Sequence, residues 1–285
     1  MFRPKIGLAL GGGGPKGLAH IGVIKILEKN GVPIDYIAGT SAGSLIGGMY
    51  AYSKNITAIE DHIMNKNWIQ TLSVFADPSL KGGFIEGGKM QQFLDDYLDG
   101  AQFHDVKIPF QATAVDIQSG NLVSLHQGLL SRAIRASSAI PMLFKPVEID
   151  NHLYLDGGLL CSVPVDIVRK MGADIVIAVQ LNRYYNPDED LRAASIPEIG
   201  ELSFTIIGRR LADEEVKRAD FIIRPTVAHI HWNYLLQQGK KEEVIKKGEE
   251  AAEKAIPSIL FTTQKNKIEF TLHHWIEKIK KSFQR

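Results

Sequence analysis

The chain has 285 residues, of which 45% are hydrophobic, and its 33 basic and 32 acidic side chains leave a net charge of +1. This balance argues against a dedicated nucleic-acid-binding protein, because phosphate contacts require a basic surplus. The hydrophobic fraction excludes general disorder. The single cysteine, Cys161, excludes an intrachain disulfide and a cysteine-based zinc cluster. The chain contains no run of about 18 uncharged apolar residues, which a membrane helix needs, so a cytoplasmic location is expected.

Short apolar runs alternate along the chain with segments whose apolar residues recur at helical spacing. Strands are predicted at Lys5–Leu10, Ile34–Gly39, Phe110–Ile117, Leu122–His126, Phe144–Ile149, Leu153–Leu155, Asp174–Leu181 and Phe221–Arg224. Helices are predicted at Gly17–Asn30, Ala42–Tyr52, Lys89–Leu98, Leu129–Ser137, Val165–Met171 and Glu242–Ile256. The alternation indicates an α/β domain whose mainly parallel sheet is covered by helices on both faces. A helical C-terminal tail is expected to follow it.

The first predicted strand leads into a glycine-rich turn, Gly11–Gly17, that opens a helix. Gly12, Gly14 and Gly17 form a GxGxxG pattern. Successive glycines let backbone N–H groups converge on an anion, and the helix dipole favours negative charge there. A dinucleotide site is one interpretation, but it requires an acidic residue at the end of the second strand, and Asp35 begins that strand. The other interpretation is a loop that binds an oxyanion.

A GxSxG pattern, Gly39-Thr40-Ser41-Ala42-Gly43, lies between the second strand and the second helix. Strand, serine and helix in this order are the context of a nucleophile elbow, in which the serine stands on a sharp turn between small neighbours. The alternative is a serine that caps the helix behind a glycine turn. If the first two strands are parallel neighbours, both glycine turns leave the same edge of the sheet. The first turn then supplies an oxyanion hole for Ser41.

The residue that would accept the serine proton is open at this point. His229 and His231 alternate along one face of an extended stretch, which suits either a triad base or part of a metal site. Asp156 is the other candidate, because Gly157 and Gly158 form a turn that would expose its carboxylate. A plain Asp-Gly hairpin turn is the alternative for that segment.

Four segments, in this order along the chain, resemble the patatin-like phospholipase family. They are GGGGPKGLAHIGV at Gly11–Val23, GTSAGS at Gly39–Ser44, ASSAIP at Ala136–Pro141 and LDGGLLCSVPV at Leu155–Val165. The resemblance covers roughly Lys5 to Pro225. It implies a three-layer patatin-like fold with a mainly parallel central sheet, in an acyl hydrolase domain at residues 1–257. A basic amphipathic tail is expected at 258–285.

The family resemblance implies a Ser–Asp dyad without a catalytic histidine, in which Ser41 is the nucleophile and Asp156 the base. The oxyanion-hole backbone corresponds to Gly12, Gly13 and Gly14. Lys16 stands where the family often has arginine, which keeps the positive charge but loses the guanidinium fork. The implied reaction cleaves a lipid ester through an acyl-enzyme, without a cofactor or a metal. A Ser-His triad carboxylesterase and a nucleotide-binding module remain as alternatives.

The tail at residues 264–285 carries six basic and two acidic side chains, with apolar residues at helical spacing and a tryptophan, Trp275. Such a helix suits an anionic membrane surface, although a terminal helix that packs on the core shows the same pattern. The apolar segment Trp68–Gly88 is either a lid over an acyl site or an ordinary packed connection. The expected partners are a phospholipid or lysophospholipid ester and, through the tail, the membrane periphery.

Overall fold

The computed structural model describes residues 3–65, 85–181, 196–230, 237 and 239–283, with the backbone alone at 196–198, 201 and 264–283. The strands are β1 (Ile6–Leu10), β2 (Tyr36–Gly39), β3 (Phe110–Asp116), β4 (Asn121–Leu125), β5 (Val147–Ile149), β6 (His152–Asp156), β7 (Ile175–Val179) and β8 (Phe221–Ile223). The α-helices in these ranges are α1 (Ala19–Lys29), α2 (Ala42–Ser53), α3 (Ile56–Asn65), α4 (Gly88–Leu98), α5 (Leu130–Ser137), α6 (Val165–Lys170), α7 (Ile196–Glu215) and α8 (Lys240–Phe283).

All eight strands belong to one sheet, in which successive members of the series β5-β6-β3-β2-β1-β7-β8 are hydrogen-bonded to each other, and β4 pairs with β3 outside this series. The pairs among β3, β2, β1, β7 and β8 are parallel, whereas β4, β5 and β6 form antiparallel pairs. Because β1 and β2 are parallel neighbours, the turns that follow them emerge side by side at the carboxyl edge of the sheet. The predicted mainly parallel sheet is confirmed.

Helices cover both faces of the sheet, which gives the three layers that the sequence predicts. Side chains alternate along β1, so Leu8 and Leu10 face α1, α2 and α8, whereas Ala9 faces α6 and α7. The packing against α6 is close at Gly7, where a Cβ atom would lie 2.0 Å from Val168. The sequence analysis does not predict α3 or α7, and its segment Trp68–Gly88 lies mostly outside the described residues.

Helix α8 packs against α1 through two glycines. A Cβ atom on Gly22 would lie 2.0 Å from the carbonyl oxygen of Ile245, and one on Gly248 would lie 2.0 Å from the carbonyl oxygen of Ala19. The backbones of the two helices are therefore in direct contact, which fixes α1 and the glycine-rich turn that precedes it.

The predicted helix at Glu242–Ile256 and the predicted helical tail are one helix in the structure, because α8 is continuous from Lys240 to Phe283. The predicted boundary between residues 257 and 258 falls at Pro257, inside this helix, and stays a prediction. Within the described residues, no helix combines the length and apolar composition that crossing a bilayer requires.

Candidate active site

Ser41 stands at the turn between β2 and α2, with φ 53° and ψ −121°. A positive φ is uncommon for a residue with a side chain and is kept only where the surroundings impose it. The turn is tight enough that a Cβ atom on Gly39 would lie 2.5 Å from the Gly43 backbone. One on Gly43 would lie 2.1 Å from the carbonyl oxygen of Leu10. The two glycines of the GxSxG pattern are therefore required by close backbone contacts.

Two buried serines hold this turn in place. The Ser41 N–H donates to Oγ of Ser137 at 3.0 Å, and the Oγ atoms of Ser137 and Ser44 are 2.6 Å apart. Ser44 donates in turn to the carbonyl oxygen of Gly39 at 2.7 Å. The network ties α2 to the end of α5 and opposes relaxation of the strained turn. The sequence analysis assigns no role to Ser137, and only the ASSAIP segment signals it.

Asp156 ends β6 and is fully buried. Its Oδ1 accepts the Gly158 N–H at 2.8 Å, and its own N–H donates to the carbonyl oxygen of Ala139 at 2.9 Å. Burial raises the pKa of Asp156 to about 7, against smaller opposing effects of the Ser41 hydroxyl and the Gly158 N–H. The hydroxyl is thus a near neighbour of the carboxyl, although Oδ2 completes no hydrogen bond with a described residue. That oxygen is available to accept a proton.

Strand β3 brings the serine and the acid together. Gly39, the last residue of β2, pairs with Ala112, and Asp156, the last residue of β6, pairs with Ala114. Strand β4 occupies the other edge of β3 along Ala112–Asp116. Because a strand has two edges, β2 and β6 share the remaining one, and they run towards each other along it. Their ends meet two residues apart.

The glycine-rich turn after β1 lies beside the nucleophile, since a Cβ atom on Gly12 would be 3.4 Å from Cβ of Ser41. The Gly12 N–H already donates to the carbonyl oxygen of Ser162 at 2.9 Å. No hydrogen bond to a described group involves the N–H of Gly13 or Gly14. Of the three predicted oxyanion donors, the proposal therefore keeps the N–H groups of Gly13 and Gly14 and leaves out that of Gly12.

The remaining residues of the glycine-rich pattern are structural neighbours of this turn. A Cβ atom on Gly17 would lie 2.5 Å from Cβ of Ala42, so the two turns touch where their helices begin. Lys16 is buried and its N–H donates to the carbonyl oxygen of Gly13 at 3.2 Å. These contacts hold the turn that carries the free donors against the elbow.

The Asp-Gly-Gly segment packs between β3 and α7. A Cβ atom on Gly157 would lie 2.1 Å from Oγ1 of Thr113, and one on Gly158 would lie 3.0 Å from the ring of Phe204. Any side chain at Gly157 would therefore displace the turn that follows Asp156. Helix α7, which carries Phe204, packs against the turn that follows the acid.

Of the histidines, His20 contacts the glycine-rich turn, with Nε2 2.8 Å from the carbonyl oxygen of Gly11. Burial lowers the pKa of His20 to about 4, against the opposing effect of that hydrogen bond. The ring is therefore neutral near pH 7, and its Nε2–H donates to Gly11. His229, a candidate triad base, lies 3.7 Å from the carboxylate of Glu243 on α8, and His231 lies outside the described residues.

The dinucleotide interpretation fails at Asp35. Its carboxylate accepts hydrogen bonds from Nη1 and Nη2 of Arg3, at 2.6 and 2.8 Å, and from the N–H of Ile6 at 2.8 Å. These contacts lie at the amino end of β1, whereas the glycine-rich turn follows its carboxyl end, so Asp35 cannot reach a ribose held at that turn. A cavity of about 660 Å³ at the same amino edge, lined by Arg3 and Lys54 among others, is likewise far from Ser41.

These features define an α/β protein in which a serine on one glycine turn lies beside a second glycine turn and near a buried carboxyl. The patatin-like phospholipase family model matches residues 8–169, which is more than half of the chain. An uncharacterized NTE family protein of Mycobacterium tuberculosis is 36% identical over 182 residues, which are 63% of this chain and 49% of that protein. Human patatin-like phospholipase domain-containing protein 6 is 33% identical over 183 residues, 62% of this chain and 13% of that protein.

The chain belongs to the patatin-like phospholipase family. Among solved structures, VipD from Legionella pneumophila aligns with a TM-score of 0.56 at 14% sequence identity, over 90% of this chain and 67% of that one. This likeness supports the fold. The chain spans about half the length of the mycobacterial relative and a smaller share of the human one.

Proposed function

We propose that this protein is a serine acyl hydrolase that cleaves ester bonds of phospholipids or lysophospholipids with a Ser41–Asp156 dyad. The observation that carries the proposal is the fully buried Asp156 carboxyl, whose pKa is raised to about 7, beside a serine on a strained elbow. Family membership supports the same substrate class, since a related protein from Candida albicans, 33% identical over 181 residues, is named a lysophospholipase.

In the first half of the reaction, ionised Asp156 accepts the proton of the Ser41 hydroxyl as Oγ attacks the ester carbonyl carbon. The carbonyl π electrons move to oxygen, and the N–H groups of Gly13 and Gly14 stabilise that oxyanion. Each such donor is typically worth about 2.7–4 kcal/mol in the transition state. When the tetrahedral intermediate collapses, the C–O bond to the alcohol breaks and Asp156 returns the proton to the departing oxygen.

The second half repeats these steps with water. Asp156 accepts a proton from water as the water oxygen attacks the acyl-enzyme carbonyl, and the same backbone donors bind the second oxyanion. Collapse of this intermediate breaks the bond to Oγ, the proton passes to Ser41, and the fatty acid is released. One carboxyl serves both halves because its pKa lies near neutral pH, so it gains and loses a proton with little driving force either way.

We further propose that the tail at residues 264–285 binds an anionic membrane surface. The six basic and two acidic side chains of this segment support the proposal, as does the continuity of α8, whose backbone remains helical to Phe283. Its first half is anchored on α1 through Gly22 and Gly248. The catalytic domain and the proposed membrane contact therefore share one helix.

Labelling with a fluorophosphonate tests the proposed nucleophile. The wild-type protein is expected to be labelled at Ser41 and to release fatty acid from a panel of phospholipids and lysophospholipids, and Ser41→Ala is expected to lose both activities. Ser203→Ala is the matched control, because Ser203 is an exposed serine on α7 that donates to the carbonyl oxygen of Ile199; it should retain both. Labelling that persists in Ser41→Ala, or a wild-type protein inactive on the whole panel, would refute the proposal.

A further inference from the structure

A second buried carboxyl lies close to this site. Glu215, the last residue of α7, is 9% exposed. Its Oε2 accepts the N–H of Val163 at 2.6 Å. Burial raises the pKa of Glu215, while the Val163 N–H, the Cys161 thiol and the Ser162 N–H act in the opposite direction. The Val163 N–H is thus hydrogen-bonded to this carboxyl, the Cys161 thiol and the Ser162 N–H are near neighbours of it, and the dyad mechanism has no use for it.

The same residues face the active site with their carbonyl groups. The carbonyl oxygen of Cys161 accepts the hydroxyl of Thr40, the residue before Ser41, at 3.0 Å. The carbonyl oxygen of Ser162 accepts the N–H of Gly12 at 2.9 Å. The peptide group between residues 162 and 163 thus bridges Glu215 and the glycine-rich turn, because its N–H and its C=O point in opposite directions. The adjacent peptide group, between residues 161 and 162, leads to the elbow through its carbonyl oxygen.

We propose that Glu215 is a positioning residue that holds the Ser41 elbow and the oxyanion loop in register through the peptide groups of residues 161–163. It touches neither Ser41 nor Asp156, and it acts through Thr40 and Gly12. The inference rests on the proposed function and adds to it a residue that fixes the geometry between nucleophile and oxyanion donors.

The physical reason is the polarisation of hydrogen bonds in series. A carboxylate that accepts a peptide N–H strengthens the hydrogen bond at the carbonyl end of the same peptide group. The charge of Arg218 also favours the ionised form of Glu215. The Arg218 guanidinium is hydrogen-bonded to the Asp166 carboxylate at 2.7 Å. Thr40 also accepts the hydroxyl of Thr113 at 2.8 Å, which extends the series to β3. Glu215 is therefore hydrogen-bonded through one peptide group to the glycine-rich turn, and the next peptide group along the chain contacts the elbow.

Two substitutions at Glu215 test the inference on the full-length protein. Glu215→Gln keeps the size and one oxygen acceptor but removes the charge, and Glu215→Ala removes both. The kcat for a soluble short-chain ester, per fluorophosphonate-labelled Ser41, is expected to fall about 10- to 100-fold in Glu215→Ala and less in Glu215→Gln. The KM should stay within about twofold, since the change affects the transition-state donors and not the substrate contacts.

Glu214 supplies the matched control, because it precedes Glu215, is partly exposed and pairs with Lys217 at 2.7 Å. Glu214→Gln should leave kcat within about twofold of the wild-type value. A readout that does not depend on activity is the amide hydrogen exchange of Gly12, followed by NMR. It should accelerate in Glu215→Gln and Glu215→Ala and stay unchanged in Glu214→Gln, because only the former weaken the hydrogen bond to Ser162.

The inference is overturned if both Glu215 variants keep the wild-type kcat per labelled site, even if their thermal stability falls. An unchanged exchange rate at Gly12 overturns it as well. Failure of the proposed function looks different, because the wild-type protein itself would then lack labelling at Ser41. In that case the exchange rate at Gly12 still decides whether Glu215 holds the loop.

Discussion

Asp156 combines two properties that usually oppose each other in a carboxyl group. It is fully buried, which favours the protonated form, yet the Ser41 hydroxyl and the Gly158 N–H face it and favour the ionised form. An ordinary aspartate, with a pKa of about 3.9, would be too weak a base to deprotonate a serine efficiently. In the proposed dyad, burial corrects this weakness without a histidine, so the position of β6 inside the protein is part of the proposed mechanism.

The pH dependence of the reaction follows from this pKa. Asp156 must be ionised to accept the serine proton, and its ionised fraction grows as pH rises through about 7. We therefore expect kcat/KM for a soluble ester to rise about tenfold per pH unit below pH 7 and to level off above it. A rate profile between pH 5 and pH 9 measures this.

Asp156→Asn is the companion variant, because it keeps the size of the side chain and removes the base. It should fold like the wild-type protein and lose turnover. A profile that is flat down to pH 5 would show that another group, or an aspartate of ordinary pKa, is the base. Loss of activity in His229→Ala together with an active Asp156→Asn would support the triad instead.

At the scale of secondary-structure elements, the end of α5 connects the two residues of the proposed dyad. Ser137 accepts the N–H of Ser41, and the carbonyl oxygen of Ala139 accepts the N–H of Asp156. The intervening residue, Ser138, is buried, and its hydroxyl makes no hydrogen bond with a described residue. Of these two adjacent buried serines, Ser137 therefore accepts a hydrogen bond from the elbow and Ser138 has no described partner for its hydroxyl. Substitutions at the two positions can be compared directly.

We expect Ser137→Ala to destabilise the protein by about 1–3 kcal/mol, since it leaves the buried Ser41 N–H without its acceptor. The same change should slow fluorophosphonate labelling, because the strained elbow loses one of its restraints. Ser138→Ala should change stability by less than about 0.5 kcal/mol, because it removes a hydroxyl that has no described partner. Denaturant unfolding of the three proteins provides the comparison, and equal losses in both variants would contradict the assignment.

The features that sequence alone predicts are local ones. The elbow is readable because strand, serine and helix follow one another within a few residues, and β1 and β2 are readable as apolar runs next to glycines. The Ser41–Ser137 hydrogen bond joins residues 96 positions apart, and no spacing rule relates them. Glu215 is hidden for the same reason, since it lies 52 positions from its partner Val163.

Helix α7 escapes prediction for a different physical reason. Its isoleucines Ile199, Ile206 and Ile207 are exposed, whereas Gly200 and Gly208 lie on the side that packs near Met142 and Ser162. An apolar stripe at helical spacing is the usual signal of a packed helix, and here glycines take the place of that stripe.

The assignment of Asp156 as the proposed base depends on the resemblance to the family. The residues alone do not distinguish a catalytic aspartate in this segment from the first residue of an ordinary Asp-Gly hairpin turn.

At the scale of the whole molecule, α8 links the sheet domain that carries Ser41 and Asp156 to the proposed membrane contact. Deletion of the residues after Thr263 is expected to weaken binding to anionic vesicles much more than hydrolysis of a soluble short-chain ester. The deleted segment has a net charge of +4, from six basic and two acidic side chains, and each basic residue near an anionic surface contributes about 1 kcal/mol. Vesicle co-sedimentation and ester hydrolysis measure the two effects.

Vesicles of zwitterionic lipid are the control for this deletion, and the full-length protein should bind them more weakly than anionic ones. Equal losses of vesicle binding and ester hydrolysis would indicate instead that the segment after Thr263 stabilises the domain that carries Ser41 and Asp156. The docked part of α8, which ends before this point with the buried Ile259, remains in the shortened protein.

The pairing of β2 and β6 end to end on β3 has a consequence for how this protein can change over evolutionary time. The gap between nucleophile and acid is counted along a third strand, from Ala112 to Ala114, and not along the chain that joins residue 41 to residue 156. Loops in that stretch are therefore free to lengthen, shorten or acquire whole subdomains while the reactive pair keeps its spacing. A single-residue slip of either β2 or β6 along β3 would change that spacing at once.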